Sequence, residues 1–160
     1  MFIRLGRGTH NAHFVCSEDL QAYNEIRPKL RARQEREEKE HKRQKAHEDE
    51  ARFKKLKAPF FGISFTDRTI QTRVLESVQK YLEEGQALHH CVFTNEYHLK
   101  EKSLILSTTI AGKWIETIEL SIETMEILQC RGLQNKNTEY HERIIELVHR
   151  NIKEIQSRVA

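Results

Sequence analysis

From residue 58 onward the apolar positions recur with periods that define elements, whereas the stretch between Leu30 and Phe53 carries no large apolar side chain. Two short extended runs, residues 61–65 and 69–74, flank Thr66-Asp67-Arg68 and predict a hairpin. Leu75, Val78, Gln79 and Leu82 fall at helical spacing, and Glu83-Glu84-Gly85 predicts the end of that helix, with the glycine just past its last turn. A further helix is expected over residues 88–100. Residues 103–110 are β-branched and apolar, Ala111-Gly112-Lys113 turns the chain, and residues 114–122 set Trp114, Ile118, Leu120 and Ile122 on one side. Glu123-Thr124 turns it again into residues 125–131, which predicts an antiparallel meander. A loop over residues 132–138 leads to Tyr140, Ile144, Leu147, Val148, Ile152, Ile155 and Val159, one face of a closing helix, with Thr138 as its N-cap. The fold class expected is α+β: an antiparallel meander of three or more strands covered by helices on one face.

Before this domain lies a different kind of chain. Residues 29–57 hold 12 Lys/Arg and 7 Asp/Glu, a net of +5, and the other 15 Lys/Arg and 17 Asp/Glu leave −2. Between Leu30 and Phe53 the apolar residues are Ala32, Ala46 and Ala51, so no stripe is available to dock on a core. Arg, Gln, Glu, Lys and Ala are strong helix formers, and Glu38–Lys42 and Glu50–Lys54 sit at i,i+4 with the acid first. A solvated, charged helix over residues 17–57 is expected, on the order of 60 Å long and bent or interrupted at Pro28. Ala58-Pro59 marks the boundary, which divides the chain into an N-terminal segment over residues 1–57 and an α+β domain over residues 58–160.

Composition narrows the setting. The chain has 160 residues, 38% of them hydrophobic and 32% charged, enough for one small core. No run of about 18 apolar residues spans a bilayer, and the first residues, Met1-Phe2-Ile3-Arg4-Leu5-Gly6-Arg7, lack the apolar stretch of a secretory signal. A cytoplasmic protein with no membrane partner is expected. Cys16, Cys91 and Cys130 are odd in number and widely spaced, which fits free thiols better than a disulfide framework.

Three groups of residues can carry chemistry. In Leu88-His89-His90-Cys91-Val92, two imidazoles stand beside a thiol: a base, a metal ligand and a nucleophile within one turn of backbone. Cys91 near the N-terminus of the expected helix would gain thiolate character, although Leu88, Cys91 and Val92 also read as an apolar step into a core. The second group is Gln129, Arg131, Gln134, Asn135 and Asn137, a polar strand end and loop around Gly132 that suits an anion or a base, or is an ordinary strand edge and polar turn. Glu116 shares strand parity with Ile118 and Leu120, so it points inward unless a partner receives it, and Glu119 lies on the other face. A two-residue turn at Glu123-Thr124 would set Glu116 opposite Arg131, and one more residue would shift that register. The third group is Arg36, Lys39, Lys42, Arg43 and Lys45 on the charged helix, able to contact phosphates, with the interspersed acids favouring a charged spacer instead. Zinc sites pair their ligands over short spacers; here His90 and Cys91 are adjacent, Cys130 is distant, and CxxC and HExxH are absent, so neither metal nor cofactor is expected.

Glu83-Glu84-Gly85 before Leu88-His89-His90-Cys91-Val92, then Glu116-Thr117-Ile118-Glu119-Leu120, then Leu128-Gln129-Cys130-Arg131-Gly132-Leu133-Gln134-Asn135, together resemble the PcfJ-like family. Its pattern couples an HHCV box, a TIE strand and a Q-x-R-G-x-x-N element, and the ordered likeness covers residues 60–150. The glycine usual after HHCV is Phe93 here. The matching positions are His89, His90, Cys91, Thr117, Glu119, Gln129, Arg131, Gly132 and Asn135. The resemblance implies open reading frames of conjugative plasmids and integrated mobile elements, and no reaction.

Two functions follow as expectations. One is an accessory binding protein of a mobile element, its helix contacting nucleic acid or a mobile-element protein and its domain holding a ligand. The other is a small enzyme acting on an anionic substrate, with His89, His90 or Cys91 as base or nucleophile, Glu119 orienting it, and Gln129, Arg131 and Asn135 binding negative charge. A purely structural domain, with the imidazole–thiol box as core, is the third alternative. Oligomeric state is left open.

Overall fold

The strand-forming runs from residue 64 onward pair antiparallel and build one five-stranded sheet. The computed structural model describes the backbone of residues 2–5 and 13–159, and side chains from Leu20 to Val159. Five antiparallel strands lie in the order β3 (Ser64–Thr66), β4 (Ile70–Val74), β5 (Ser103–Ile110), β6 (Lys113–Ser121) and β7 (Ile127–Gly132). The helices are α1 (Ser17–Lys57), α2 (Val78–Leu88) and α3 (His141–Gln156). The fold is therefore α+β, with the expected hairpin and meander joined into a single sheet. A short hairpin of β1 (Phe2–Leu5) and β2 (His13–Cys16), which the sequence pattern did not predict, precedes α1. Among the described residues no helix is long and apolar enough to cross a membrane.

Helices cover both faces of the sheet rather than one. On one face Ile70, Val74, Leu104, Leu106, Ile118 and Leu120 pack with Ile144, Leu147, Val148 and Ile155 of α3. On the other, Ile105 packs with Val78, Tyr81 and Leu82 of α2 and with Ala46 and Phe53 of α1. Strand β5 is consequently buried along both its faces, all but its last residue.

Two compact units make up the chain, Met1–Lys42 and Arg43–Ala160. Within the first, α1 passes through Pro28 without ending there, and Arg33–Glu37 (2.7 Å) and Lys42–Glu38 (2.5 Å) form exposed i,i+4 pairs. The second begins at Arg43 rather than Ala58, because the last turns of α1 are anchored to the domain by polar contacts that an apolar stripe does not reveal. Asp49 bonds buried His98 (2.9 Å), Glu50 accepts the Val78 N–H at the start of α2 (2.8 Å), and Phe53 is wholly buried. Lys57, also fully buried, donates to the carbonyls of Lys100 (2.6 Å), Glu101 (3.3 Å) and Ser103 (2.6 Å), and burial brings its ammonium down to about 8.

Other expectations are corrected locally. Helix α2 does not stop at Gly85 but runs on to Leu88, where His89 takes the left-handed conformation (φ 51°, ψ 48°) and ends it. The helix expected over residues 88–100 does not form: turns follow α2 after Leu88, with one 3-10 turn at Tyr97–Leu99. Helix α3 starts at His141, so Thr138 stands before its N-terminus, where its hydroxyl donates to Glu116 (2.6 Å) and accepts the Tyr140 N–H (3.3 Å).

Register is the most consequential correction. Leu120 lies opposite Ile127, as a two-residue turn requires, but the pairing shifts at Leu128. Beyond that bulge Glu119 faces Gln129, Thr117 faces Arg131 and Glu116 faces Gly132, so the Glu116–Arg131 pair does not form. A second irregularity, between Thr108 and Thr109, leaves Ile115 without a partner, sets Trp114 opposite Thr109, and so moves Trp114 to the α2 face, away from Ile118 and Leu120.

Gly132 closes this arrangement. A Cβ there would stand 2.7 Å from the Ile115 carbonyl oxygen and 3.0 Å from that of Lys136, both backbone atoms that cannot swing aside. Gly132→Ala is expected to destabilise the domain by about 1–3 kcal/mol, read as a lower urea midpoint at unchanged slope. An unaltered midpoint would mean that β6, β7 and the following loop are looser than their geometry shows.

Candidate functional site

The Leu128 bulge and the left-handed end of α2 bring two distant stretches to one cleft. Its volume is about 280 Å³, and His90, Cys91, Asn95 and Tyr97 from the segment after α2 line it with Thr117, Glu119, Gln129, Arg131 and Asn135 from the sheet and its following loop. Strand parity explains the second group. Thr117 and Glu119 point away from the α3 core, and Gln129 and Arg131 sit opposite them on β7. The first group depends on Gly85, whose carbonyl accepts the N–H groups of His89 and His90. A Cβ on Gly85 would lie 3.1 Å from the His90 carbonyl oxygen, so the chain folds back tightly over α2 at that residue.

A line of hydrogen bonds runs from the cleft into the protein. His90 Nε2 lies 2.9 Å from Thr117 Oγ1, which lies 2.5 Å from Glu84 Oε1, and Ser107 Oγ donates to Glu84 Oε2 at 2.7 Å. Glu84 is fully buried, and that burial pushes its carboxyl up to about 7 against the opposing bonds from Thr117 and Ser107. Burial also holds the His90 imidazole below its ordinary range. A hydroxyl has one proton to give, so the chain has two ordered states. With Glu84 ionised, Thr117 donates to it and accepts from His90 Nε2–H. With Glu84 protonated, the carboxyl donates to Thr117 and Thr117 donates to a bare Nε2.

The opposite end of the cleft is built around Glu119. Ser103 Oγ donates to its Oε1 (2.6 Å), Gln129 Nε2 donates to its Oε2 (2.7 Å) and to the Tyr97 hydroxyl (2.9 Å), and Lys100 Nζ stands 3.8 Å away. Lys100 also lies over the Tyr97 ring, 3.4 Å from its centre. Arg131 is exposed and donates to Asn137 Oδ1 (2.7 Å). Asn135, like the preceding Gln134, has positive φ (62°).

Several expected placements are thereby revised. His89 is the exposed residue that terminates α2 and does not line the cleft. Cys91 is exposed and follows the C-terminal end of α2, so it has no helix N-terminus behind it. The carboxylate linked to an imidazole of the box is Glu84, through Thr117, and not Glu119. Phe93, next after the His89-His90-Cys91-Val92 run, is buried and stacks on His98 at 5.4 Å between centres. Cys130 faces the α3 core, on the far side of the sheet from Cys91; the Cys16 side chain lies outside the described residues. On α1, Arg36, Lys39 and Arg43 are exposed without an ion pair among the described residues, whereas Lys42 pairs with Glu38 and Lys45 with Glu96.

Glu84, Asn95, Tyr97, Ser103 and Ser107 are site residues that sequence reasoning missed. One signal existed for Glu84. Once α2 is continued to Leu88, Glu84 falls three residues after Tyr81 and four before Leu88, on the buried face.

The family model described as PcfJ-like protein matches residues 1–145 of the chain. No curated protein and no solved structure matches it.

Glu84 makes stability depend on pH in a known direction. Its folded-state value lies above the unfolded one, so its stabilising contribution is complete below about pH 4.5 and is lost as pH rises through about 7. At about 1.4 kcal/mol per unit, wild-type unfolding free energy should fall by about 2–3 kcal/mol more than that of Glu84→Gln between pH 5 and pH 8. Parallel pH profiles for the two proteins would show that Glu84 is not held in its neutral form.

Proposed function

The chain belongs to the PcfJ-like family, and from that premise we propose that it is a cytoplasmic accessory protein of a mobile DNA element whose cleft binds a small anionic ligand. One observation carries this reading: the imidazole–thiol box and the amide–guanidinium rim line the same cleft. Arg131 offers an exposed guanidinium for a phosphate or carboxylate, and Asn135 offers amide hydrogen bonds beside it. Glu119 does not oppose an anion strongly, because Ser103 and Gln129 donate to its two oxygens and Lys100 stands 3.8 Å away. A cleft of about 280 Å³ lies at the small end of ligand sites and suits a molecule of about mononucleotide size or the end of a longer one.

A second reading, a small enzyme, is favoured by the Glu84–Thr117–His90 chain. A neutral imidazole at the cleft can take a proton from a bound substrate, and Thr117 connects it to a buried carboxyl that titrates about 7. Cys91 stands on the same rim as a nucleophile, with Arg131 and Asn135 placed to meet developing negative charge.

Thermal unfolding with inorganic phosphate, AMP or citrate tests the binding reading. At least one should raise the wild-type midpoint, and Arg131→Ala should weaken the apparent affinity about tenfold or more, as loss of a charge-assisted hydrogen bond does. Equal stabilisation of wild type and variant, or no stabilisation by any of the three, would refute an anion site in this cleft.

Nucleic acid as the partner of α1 is tested separately on the full chain, with labelled single- and double-stranded DNA. Neutralising Arg36, Lys39 and Arg43 to Gln should lower the slope of log affinity against log salt, on duplex by up to about 0.9 for each phosphate that the variant no longer neutralises. An unchanged slope would take α1 out of nucleic-acid recognition.

A further inference from the structure

Across the sheet from the cleft, a second cluster of polar side chains faces the α3 core. Glu116 is fully buried, and its Oε2 accepts the Cys130 thiol (2.9 Å) and lies 2.8 Å from His141 Nδ1. Its other oxygen, Oε1, accepts the Thr138 N–H and hydroxyl, both at 2.6 Å. The ligating atoms of Glu116, Cys130 and His141 all lie within 4.8 Å of one another. None of the three belongs to the positions carried by the family resemblance. Register places Cys130 opposite Ile118, on the same face as Glu116, and His141 is the first residue of α3.

We propose that Glu116, Cys130 and His141 form a binding site for one divalent transition-metal ion of the zinc and cobalt type. Thiolate, imidazole and carboxylate are the donor set such ions take, and three protein ligands plus one open position is a recurring arrangement. Charge supports the choice. Glu116 is buried, and the Cys130 thiol, the Thr138 N–H and hydroxyl and the His141 ring converge on its carboxylate. Among the described residues no Lys or Arg lies within ion-pair distance of it. A divalent ion bound to Glu116 carboxylate, Cys130 thiolate and neutral His141 gives a site of zero net charge, which suits a buried location.

Binding replaces the protons that now bridge the three groups. The Cys130 thiol releases its proton to solvent as the metal–sulfur bond forms, and His141 coordinates through the Nδ1 that now faces the carboxylate. Tetrahedral ligands around zinc stand roughly 3–4 Å apart, so Sγ and Nδ1 need to withdraw from Oε2 by only a fraction of an ångström to about 1 Å. Thr138 keeps hold of Oε1 and so orients the carboxylate from behind. His141 is 16% exposed, which leaves a route for the ion and for a water as fourth ligand.

Cobalt(II) titration of the full, chelator-stripped, reduced chain reads this site directly, because a thiolate ligand gives a ligand-to-metal charge-transfer band in the near ultraviolet. One equivalent should produce the band and zinc should abolish it. Cys130→Ser should lose the band, and His141→Ala should weaken cobalt affinity about tenfold or more. Cys91→Ser and Cys16→Ser should keep it. No band at one equivalent, or a band that survives Cys130→Ser and disappears with Cys91→Ser or Cys16→Ser, would leave the cluster a hydrogen-bond network only. Circular dichroism of Cys130→Ser keeps loss of fold distinct from loss of a ligand; should that variant unfold, His141→Ala decides, because an unchanged cobalt affinity in it overturns the site.

Discussion

Three carboxylates drawn inside the domain set the terms for everything around them. Glu84, Glu116 and Glu119 are all buried, and desolvating a carboxylate is tolerable only where hydrogen-bond donors converge on it. The donors here are mostly uncharged: Thr117 and Ser107 for Glu84, Thr138 and Cys130 for Glu116, Ser103 and Gln129 for Glu119. All but Thr138 sit on β5, β6 or β7. Those strands can shift neither along one another nor around their axes without stripping a buried carboxyl group of its partners, so polar satisfaction fixes register here alongside the apolar alternation.

Strand β6 divides the consequences between two faces. Glu116, Ile118 and Leu120 look toward α3, whereas Thr117 and Glu119 look toward the segment after α2. One strand therefore serves a solvent-reached cleft on one side and a buried Glu–Cys–His cluster on the other, a single peptide step apart. The charged helix follows the same logic. Its docked end is held by Asp49, Glu50 and Lys57, whose polar atoms reach backbone or imidazole partners, with Phe53 as the one large apolar anchor.

These choices explain what could be read from the sequence and what could not. The strands were legible because residues 103–110 and 114–121 are long, β-branched and bounded by Ala111-Gly112, and α3 because its apolar stripe repeats over four turns. The grouping of Thr117 with Glu119 and of Gln129 with Arg131 was legible from period-2 alternation along each strand, but their sharing one face was not, because the register of a two-residue turn sets Gln129 and Arg131 on the Glu116 side. Cross-strand pairs were not, since one unpaired residue at Leu128 moves each by one position. The docking of α1 was not legible either: a moment of apolar residues registers Phe53 alone and passes over Asp49 and Lys57. The end of α2 misled because Gly85 reads as a terminator, whereas its small size serves the close approach of the His90 backbone inside a longer helix. The Glu116–Cys130–His141 cluster has no spacing signature, since three separate elements supply its members.

The cleft is shaped by backbone as much as by side chains. His89 and Asn135 hold left-handed conformations at its two sides, and Gly132 admits the Ile115 and Lys136 carbonyls where any Cβ would exclude them. Backbone held this way resists adjustment, so the distances between His90, Thr117 and Glu84 are set before any ligand arrives. That rigidity is what lets one hydroxyl report on both neighbours: at 2.9 and 2.5 Å from them, Thr117 cannot donate to Glu84 and to His90 at once. A change in the proton at the buried carboxyl thus becomes a change in which nitrogen of the neutral His90 ring carries its hydrogen, with Nε2 bonded to Thr117 in either state and no movement of the chain.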